Sequence, residues 1–370
     1  MINVIHITHT DIRNDWRIRK EIVSLRKTNL YNLLGIGIDH GYDVNFPGDQ
    51  ISSKNIGKIN RKNIFTYFFT SIFACIRMLT ELLKISNINV LHCHDTPALL
   101  IGFIVKLFKR EIKLIYDTHE LQSNKAGQAI LFKICTILIE KLAIKNIDGL
   151  ITVSPSILNW YDKNHNIEDC YNTLIFNAPN YIKTTHVEDV RHKLNLPKDC
   201  KLFSYVGLLI KERGVEDILE TFKKLPKENI IIFFGLGDLE ELIKEESLRH
   251  ENIFYFGNVP NTDLHSYLLQ FQYGLCTIEN ASLSDFYALP NKFFECVNAN
   301  LTVIVPDFPD MAQAVKENNL GHVISDGNLY ESIRKIISTE NELPKKNLYE
   351  FTWLAQEKKL NKLYENILSK

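Results

Sequence analysis

The chain has 370 residues, enough for two α/β domains that each bury a core of their own. Its apolar fraction of 45% and charged fraction of 24% are those of an ordinary soluble protein. Seven scattered cysteines without C-x-x-C spacing argue against a disulfide framework or a zinc site and favour reduced thiols in a cytoplasm. We expect no signal peptide and no transmembrane helix, since no window holds the roughly 20 apolar residues that a span needs.

The net charge of −1 is unevenly divided along the chain. Residues 1–180 hold 21 Lys and Arg against 16 Asp and Glu, a balance of +5, and the remainder holds 22 against 28, a balance of −6. A basic N-terminal half suits a polyanionic surface such as lipid head groups, and chance asymmetry is the alternative. Residues 64–85 are apolar at helical spacing, with aromatic residues at 67–69 beside basic residues at 58, 61 and 62. Such a helix usually packs on a sheet, but peripheral membrane contact stays open.

The first half of the chain alternates short apolar runs with longer amphipathic ones, which predicts a doubly wound parallel sheet. A polar and irregular surface loop is expected over residues 39–63. The predicted strands are 2–7, 29–38, 88–93, 113–116, 149–153 and 172–176. The predicted helices are 16–25, 64–85, 126–145 and one that starts at Ser154-Pro155, where a capping residue precedes a proline.

Polar residues follow several of these strands, where the carboxyl end of a parallel strand faces a ligand crevice. His94 and Asp95 follow the third strand, and His119 and Glu120 follow the fourth. Each could also be a loop residue or a helix cap. Two histidines one residue apart could bind a metal, but no third ligand is evident in the sequence, so we expect no metal site.

The second half repeats the alternation after a polar segment, 181–200, that we interpret as an interdomain linker. Its predicted strands are 201–206, 229–234, 252–256, 273–278, 301–305 and 320–324, and an amphipathic segment at 349–368 closes the chain. Gly207 starts a loop that leads to Arg213 and a helix near residue 215. Gly235 and Gly237 follow the next strand, where glycines allow close approach of the backbone.

The stretch LSDFYALPNKFFECVNA, residues 283–299, organises this half. Pro290 suits the start of a helix, which presents free N–H groups and a partial positive charge to a phosphate. Lys292 lies in the first turn of that helix, and Glu295 lies one turn further on. A cation at the phosphate end with a carboxylate that accepts hydroxyl hydrogen bonds could hold a sugar nucleotide. An ordinary amphipathic helix with solvated charges is the alternative.

This stretch resembles the LPNKLFEY segment of bacterial glycosyltransferases of family 4, the retaining enzymes of the GT-B fold that build capsule, O-antigen and other surface polysaccharides. The resemblance extends over nearly the whole chain. NDWRIRKE resembles the NDPRV-x-x-E opening, HCHDTP the HxHD-x-P segment, and YDTHEL the YDSHEL segment. GNVPNTDL resembles the GxVPxxDL segment. The resemblance implies a division into an acceptor-binding domain over 1–180, a nucleotide-sugar-binding domain over 181–350, and a terminal helix over 351–370 that crosses back to the first domain.

The resemblance implies roles for individual residues. His94 would orient the donor sugar, Arg213 and Lys292 would grip the diphosphate, and Glu295 would bind the ribose. The acceptor side would be lined by Asp15, Arg17, Asp95, His119 and Glu120. The donor site would comprise Gly207, Arg213, Gly235, Gly237, Val259, Pro260, Tyr287, Asn291, Lys292 and Glu295. Asp15 could instead be a helix N-terminal residue and Arg17 a solvated side chain.

Two positions depart from the family pattern. Tyr287 stands where the first glutamate of a Glu-x7-Glu pair is expected, and Leu208 stands where an arginine often contacts the diphosphate. These departures leave open a nucleotide-sugar-binding partner protein without transferase activity, and a GT-B sugar-nucleotide epimerase is a further alternative. A nicotinamide enzyme is disfavoured, because no G-x-G-x-x-G opens the chain.

We therefore predict two doubly wound Rossmann-like domains facing a deep cleft. The expected activity is transfer of a hexose or N-acetylhexosamine from a nucleotide diphosphate sugar, with UDP as the expected nucleotide. The expected acceptor is a saccharide or a polyprenyl-linked saccharide. No Asp-x-Asp pair is present, so we expect no metal or other cofactor, and no nucleic acid partner. The expected location is the cytoplasm, at or near the inner face of the cytoplasmic membrane.

Overall fold

The computed structural model of the chain describes residues 1–13, 15–39, 53–59, 63–180, 186–339 and 348–369. Two compact units are present. The first unit comprises Met1–Ile175 and Glu357–Lys370, and the second comprises Phe176–Gln356. The predicted linker over 181–200 is not an extended connection where the structure describes it, because Val190 and Cys200 are buried in the core of the second unit.

The first unit is built on a parallel sheet whose strands lie in the order β3-β2-β1-β4-β5-β6-β7. The register pairs β1 with both β2 and β4, so the chain reverses its direction of winding at β1. The strands are β1 (Ile2–Thr8), β2 (Tyr31–Asp39), β3 (Ser53–Lys58), β4 (Val90–His94), β5 (Lys113–Asp117), β6 (Gly149–Thr152) and β7 (Tyr171–Leu174).

The helices of the first unit connect successive strands, as the predicted alternation requires. They are α1 (Trp16–Lys27), α2 (Ile64–Lys84), α3 (Asp95–Phe108), α4 (Ile130–Ala143) and α5 (Pro155–Asn164). Ser154 caps α5 with its side chain, as the Ser-Pro pair predicts. α4 begins later than the predicted residue 126. The prediction of an irregular loop over 39–63 is wrong for β3, an edge strand that pairs with β2.

The second unit contains a parallel sheet in the order β10-β9-β8-β11-β12-β13. Its strands are β8 (Lys201–Val206), β9 (Asn229–Phe234), β10 (Ile253–Gly257), β11 (Tyr273–Leu275), β12 (Thr302–Val305) and β13 (Gly321–Val323). All six residues of β9 are buried, as expected for a central strand covered on both faces. Two apolar clusters pack on this sheet. One contains Phe293 and Phe294, and the other contains Phe203 and Phe222.

The first helix of the second unit precedes β8, and the others begin after the carboxyl ends of these strands. They are α6 (Val190–Lys193), α7 (Val215–Phe222), α8 (Glu240–Arg249), α9 (Asn261–Leu268), α10 (Leu283–Phe286), α11 (Asn291–Asn298), α12 (Pro309–Asn318) and α13 (Leu329–Thr339). Pro290 immediately precedes α11, which begins at Asn291. The last helix, α14 (Trp353–Leu368), supplies residues from Glu357 onward to the first unit, where the Tyr364 hydroxyl lies 2.8 Å from His92 Nδ1.

Candidate active site

The glycines after β8 and β9 bring two loops of the second unit into backbone contact. Gly207 and Gly235 directly follow paired strand ends and have φ of 129° and 139°, which side-chain-bearing residues rarely adopt. A Cβ on Gly235 would lie 1.9 Å from the Gly207 carbonyl oxygen, and one on Gly237 would lie 2.4 Å from that of Leu209. These glycines therefore allow the two loops to pack backbone against backbone at the carboxyl edge of the sheet.

Arg213 lies immediately before α7, as predicted. Gly214 adopts φ of 70° between Arg213 and the helix, and a Cβ there would lie 2.9 Å from the Thr277 Cβ, so a glycine is required. The Thr277 hydroxyl donates to the Arg213 carbonyl oxygen over 2.9 Å. The Arg213 guanidinium lies 3.3 Å from Asp285 Oδ1, and its side chain is 33% exposed. The sequence did not point to Asp285 as its partner.

Lys292 occupies the first turn of α11, as predicted, but its side chain is buried. Its ammonium group donates to the Thr277 carbonyl oxygen over 2.6 Å and lies 4.4 Å from the centroid of the Tyr205 ring. Burial is the main cause that lowers the pKa of Lys292 to about 8, and the nearby Arg213 charge lowers it further. Arg213 and Lys292 thus form one positively charged locus beside the starts of α7 and α11.

The other predicted donor-site residues lie on separate helices and loops of the second unit. Glu295 is half-buried on α11, Asn291 is exposed at its start, and Tyr287 ends α10 with its ring 5.7 Å from that of Phe286. Val259 packs against the core, and the exposed Pro260 directly precedes α9. α9 begins at Asn261 without a side-chain cap.

A cavity of about 540 Å³ adjoins the start of α7 within the second unit. It lies beyond the carboxyl ends of β11, β12 and β13, the edge at which open α/β sheets bind ligands. Gly214 and Thr277 contribute to its wall, so it reaches the residues that position Arg213 and Lys292. Its acidic lining residues are Asp217, Glu279, Asp307 and Asp326.

Three of the five predicted acceptor-side residues, Arg17, Asp95 and His119, belong to a network of charged side chains in the first unit. Arg17 is 3% exposed. Its guanidinium contacts Asp117 over 2.9 and 3.2 Å, donates to the Ile175 carbonyl oxygen over 3.0 Å and lies 3.2 Å from Glu21. Arg17 is therefore neither solvated nor on the surface. Asp15 caps α1 by accepting from the backbone N–H groups of Arg17 and Ile18, which is the structural alternative considered for it.

Four histidines extend this network across three neighbouring strand ends. His6, His92 and His94 are fully buried, and the rings of His6 and His94 both stack on His92 with centroids 4.5 Å apart. His94 is bonded on both ring nitrogens, to His6 over 3.0 Å and to His119 over 3.1 Å. His94 lies at a strand end as predicted, but its side chain is enclosed and no ring nitrogen is left for a sugar in this structure.

His119 and Asp95 form the more accessible end of the network. Burial opposes the charged form of His119, but the Asp95 and Asp117 carboxylates outweigh it and raise the pKa of His119 to about 9. Asp95 accepts from the His119 backbone N–H over 3.1 Å and adopts φ of 64°, a conformation that asparagine and aspartate tolerate better than most residues. Glu120, by contrast, is exposed and pairs with Lys125 over 2.8 Å.

Two groups of side chains place ligand atoms within 4.8 Å of one another, close enough to share an ion: His6, Glu21, His92 and His94, and then His94, Asp117 and His119. The sequence had suggested that no third ligand accompanies the two histidines, and the structure corrects that. Arg17 lies against both carboxylates, so its positive charge already compensates Asp117 and would repel a cation there. The geometry favours an ion-pair network over a metal centre.

Several residues of the cationic locus and of the buried network were not predicted from the sequence. Tyr205 and Thr277, which surround Lys292, lie in or just after apolar strand segments and gave no signal of their own. Asp285 lies inside the stretch 283–299, close in sequence to the predicted cation Lys292. Its acidic side chain could therefore have been predicted to pair with a cation of the site. His6 and Glu21 lie on the first strand and first helix, and a histidine inside an otherwise apolar strand was the available clue.

Comparison with known proteins identifies the second unit. Residues 186–349 match the family described as "Glycosyl transferases group 1". Those residues include β8 to β13 and the whole locus around Arg213 and Lys292. The match covers the donor-side residues and does not extend to the buried network of the first unit.

Two relatives of the chain are also named as glycosyltransferases. The glycosyltransferase TuaC of Bacillus subtilis (strain 168), named for teichuronic acid biosynthesis, is 32% identical over 82 residues, 22% of this chain and 20% of that protein. The chain therefore aligns with only a fifth of that relative's length. The uncharacterized glycosyltransferase MJ1069 of Methanocaldococcus jannaschii is 25% identical over 301 residues, 73% of this chain and 72% of that protein.

Solved structures extend the likeness to the whole chain. Sucrose-phosphate synthase from Thermosynechococcus elongatus superposes with a TM-score of 0.78 at 16% identity and covers 100% of both chains. Anabaena Alr3699/HepE in complex with UDP-glucose has a TM-score of 0.69 at 11% identity, over 99% of this chain and 100% of that one. The shared fold is GT-B. The matched domain and the two named relatives make this chain similar to glycosyltransferases.

Proposed function

We propose that the protein is a retaining glycosyltransferase that moves a hexose or N-acetylhexosamine from a nucleotide diphosphate sugar to a saccharide or lipid-linked saccharide. The observation that carries this proposal is the cationic locus of the second unit. Arg213 and Lys292 lie near the starts of two helices, at the same sheet edge as Gly207, where a Cβ would meet no atom within 4 Å. Helix starts and cations together suit a diphosphate.

The chemical task of this locus is electrostatic. When the bond between the sugar and the diphosphate breaks, negative charge develops on the leaving phosphate. Arg213 can pair with phosphate oxygens through its guanidinium, and Lys292 can add a charge from a fixed position under Tyr205. Because these groups are already oriented in the folded chain, little reorganisation is needed during the reaction. A bridging divalent metal is not required in this proposal.

Retention follows if the acceptor hydroxyl attacks from the face that the diphosphate leaves, with the leaving phosphate taking the acceptor's proton. No protein nucleophile is then needed. Glu295 would accept hydrogen bonds from the ribose, and Gly207, Gly235 and Gly237 would let the diphosphate approach the backbone. This is a family-4 mechanism carried over through the resemblance of residues 283–299.

We propose UDP as the nucleotide, since Alr3699/HepE, a GT-B neighbour, is solved with UDP-glucose. A role in cytoplasmic synthesis of a surface polysaccharide is supported by the name of TuaC. The acceptor would then be a saccharide carried on a polyprenyl lipid, and the first unit would contact the membrane peripherally. Among the described residues, no helix is long and apolar enough to cross a bilayer.

A second candidate is a nucleotide-sugar-binding protein without transferase activity. It is favoured by Tyr287 and Leu208, which replace a glutamate and an arginine of the family pattern, and by the ion pair that Asp285 makes with Arg213. Product identity separates the two functions. A transferase releases the nucleotide diphosphate and makes a glycoside, whereas a binding protein leaves the donor unchanged.

The first test is a thermal-shift screen with UDP, GDP, ADP and their common sugar conjugates, with and without EDTA. A ligand at 100 times its Kd should stabilise the fold by about 2.7 kcal/mol. We expect one nucleotide class to raise the midpoint, with no effect of EDTA. A shift that EDTA abolishes would contradict the metal-independent site, and no shift with any nucleotide would contradict the proposed donor class. Release of nucleotide from the stabilising conjugate, in the presence of acceptor, then distinguishes transferase from binding protein.

A further inference from the structure

The outer face of three helices in the first unit is apolar and exposed. Among the described residues, 22 large hydrophobic side chains are exposed, and 14 of them lie on α2, α3 and α4. This excess is too large to be the ordinary scatter of single apolar residues on a surface. These 14 side chains, here called the apolar face, are Tyr67, Phe69, Ile72, Phe73, Ile76, Leu100, Leu107, Phe108, Ile130, Leu131, Phe132, Ile134, Leu138 and Leu142.

Helix α2 has two apolar stripes rather than one. Ala74, Met78 and Leu82 are fully buried against the unit and account for its packing on the sheet. Phe69, Ile72, Phe73 and Ile76 recur at helical spacing on the other side, and Phe69 and Phe73 are 66% and 65% exposed. Packing on the sheet explains the first stripe, whereas the side chains of the second stripe stay exposed to solvent.

Helix α4 repeats this arrangement. Leu131, Ile134, Leu138 and Leu142 follow one another at spacings of three or four and are 48–65% exposed. α3 packs against both α2 and α4, so the three helices form one layer. The exposed side chains of α3 at Leu107 and Phe108 extend the same layer. The apolar face therefore spans three neighbouring helices of one layer.

The charges exposed on this layer are almost all positive. Arg77, Lys84 and Lys141 are exposed, and Lys133 is half-buried. The acidic residues of the same helices are neutralised or enclosed: Glu81 pairs with Lys54 and Lys84, and Asp95 and Glu140 are buried. An exposed apolar stripe flanked by Lys and Arg is the pattern of helices that lie in the interface of an anionic bilayer.

We infer that the apolar face docks the first unit on a membrane surface rich in anionic phospholipid, with the axes of α2 and α4 in the plane of the interface. A second copy of the chain is the other apolar partner to consider. A two-fold contact would set the same basic residues against each other without acidic groups to neutralise them. Phosphate head groups supply that neutralisation. The choice of a lipid-linked acceptor rests on the proposed function, but docking itself does not.

The test is co-sedimentation of the full chain with vesicles of phosphatidylcholine alone or mixed with phosphatidylglycerol. The first variant combines Phe73→Ser with Leu138→Ser, one substitution on α2 and one on α4. Its matched control is Leu248→Ser, which removes an 89% exposed leucine from α8 in the second unit. A second variant combines Arg77→Gln with Lys141→Gln. Circular dichroism and the nucleotide-induced thermal shift check that each variant is folded and keeps its donor site.

We expect the wild type and Leu248→Ser to bind the mixed vesicles more tightly than phosphatidylcholine alone. The apolar double variant should bind about 100-fold more weakly to the mixed vesicles, about tenfold for each side chain withdrawn from the bilayer. The affinity of the charge variant should fall roughly 5–25-fold, and only for the mixed vesicles. Added salt should weaken binding of the wild type in the same way. Absence of vesicle binding by the wild type overturns the inference, and so does unchanged binding by the apolar variant. Self-association that this variant abolishes, without vesicle binding, would assign the face to a second copy.

A failed vesicle test leaves the donor chemistry standing, because the nucleotide-induced thermal shift is measured without lipid. A failed nucleotide screen likewise leaves docking standing, because sedimentation is measured without donor. The two outcomes are therefore separable in the same preparations.

Discussion

The two units both carry motifs of the glycosyltransferase resemblance, but they use charged motif residues differently. In the first unit, Arg17, Asp117 and His94 are buried and bonded to each other. In the second unit, Arg213 is a third exposed, and Asp285, with which it forms an ion pair, is also accessible to solvent. Charges that neutralise each other in the interior hold a fold together. Charges near the surface at helix starts can exchange their partner for a ligand.

Desolvation explains the difference. An ion in the interior loses its hydration and must be compensated by fixed neighbours, so Arg17 contacts two carboxylates and a carbonyl oxygen. Burial and Arg17 act in opposite directions on Asp117, and Arg17 with His119 holds the pKa of Asp117 well below its usual range. The pKa of Glu21 shifts in the opposite direction, because burial and the Asp117 charge both raise it. Arg17 thus keeps one of its two carboxylate partners, Asp117, in the ionised form.

The largest effect should come from Arg17→Met. Removal of the guanidinium leaves Asp117 ionised and buried without its main partner, so we expect a loss of about 3–5 kcal/mol in the free energy of unfolding. Chemical denaturation at neutral pH measures it. Lys27→Met is the matched control, since Lys27 lies on the same helix in an exposed pair with Glu357 and should cost at most about 1 kcal/mol.

The combination Arg17→Met with Asp117→Asn sharpens this prediction. If the cost of Arg17→Met is an unpaired buried charge, neutralising Asp117 should restore part of the lost stability. If Arg17 instead contacts the acceptor, Arg17→Met would leave the unfolding midpoint unchanged and raise KM for the acceptor. That result would break the contrast between the two units.

The strands of both sheets could be predicted because their buried, apolar runs carry a strong local signal. β3 was missed because SKNIGK is mostly polar, and only its pairing with β2 makes it a strand. The sequence also placed His94 and His119 at strand ends. It could not show that Arg17 and Asp117, 100 residues apart, neutralise each other, because such a pairing depends on the tertiary fold. The same is true of Lys292. Its position in the first turn of α11 was predictable from the sequence, but its burial beside the Tyr205 ring was not.

The next largest effect concerns turnover. Lys292→Ala removes a cation that we propose acts on the developing charge, so kcat should fall roughly 10²–10³-fold with the fold intact. Steady-state kinetics with the donor found in the nucleotide screen measures it. Lys316→Ala, an exposed lysine on α12, is the control and should leave kcat unchanged. A wild-type kcat in Lys292→Ala would remove Lys292 from the mechanism.

The pKa of Lys292 gives this assignment a second readout. With a pKa of about 8, Lys292 is charged at neutral pH and loses its proton over the range in which an ordinary lysine stays charged. Nucleotide affinity should therefore fall as pH rises through 8, except to the extent that the bound diphosphate itself raises this pKa. The fall should disappear in Lys292→Ala. The same pH dependence in the variant would assign it to another group.

A smaller effect should come from His119. Its pKa in the fold is about 9, above the value of 6.5 for a free histidine, so protonated His119 stabilises the folded state. The stabilisation by protonated His119 is fully present below pH 6.5 and is lost as pH rises from 6.5 through 9. We expect it to be about 1–3 kcal/mol, since the side chain is partly accessible. Free energies of unfolding at pH 6 and pH 9 for wild type and His119→Asn measure it, and an equal pH dependence in both proteins would contradict the charge assignment.

The smallest effect on stability should come from Asp285→Asn, which removes the carboxylate beside Arg213. The pair is partly exposed, so the free energy of unfolding should change by less than about 1 kcal/mol. Donor affinity should change in the opposite sense to stability. A diphosphate must compete with Asp285 for the guanidinium, and the amide competes less well, so Asp285→Asn should bind the nucleotide more tightly. Titration calorimetry measures that affinity. Weaker binding would mean that Asp285 holds Arg213 in the orientation that the ligand needs, and the Arg213 locus would then resemble the fixed network of the first unit.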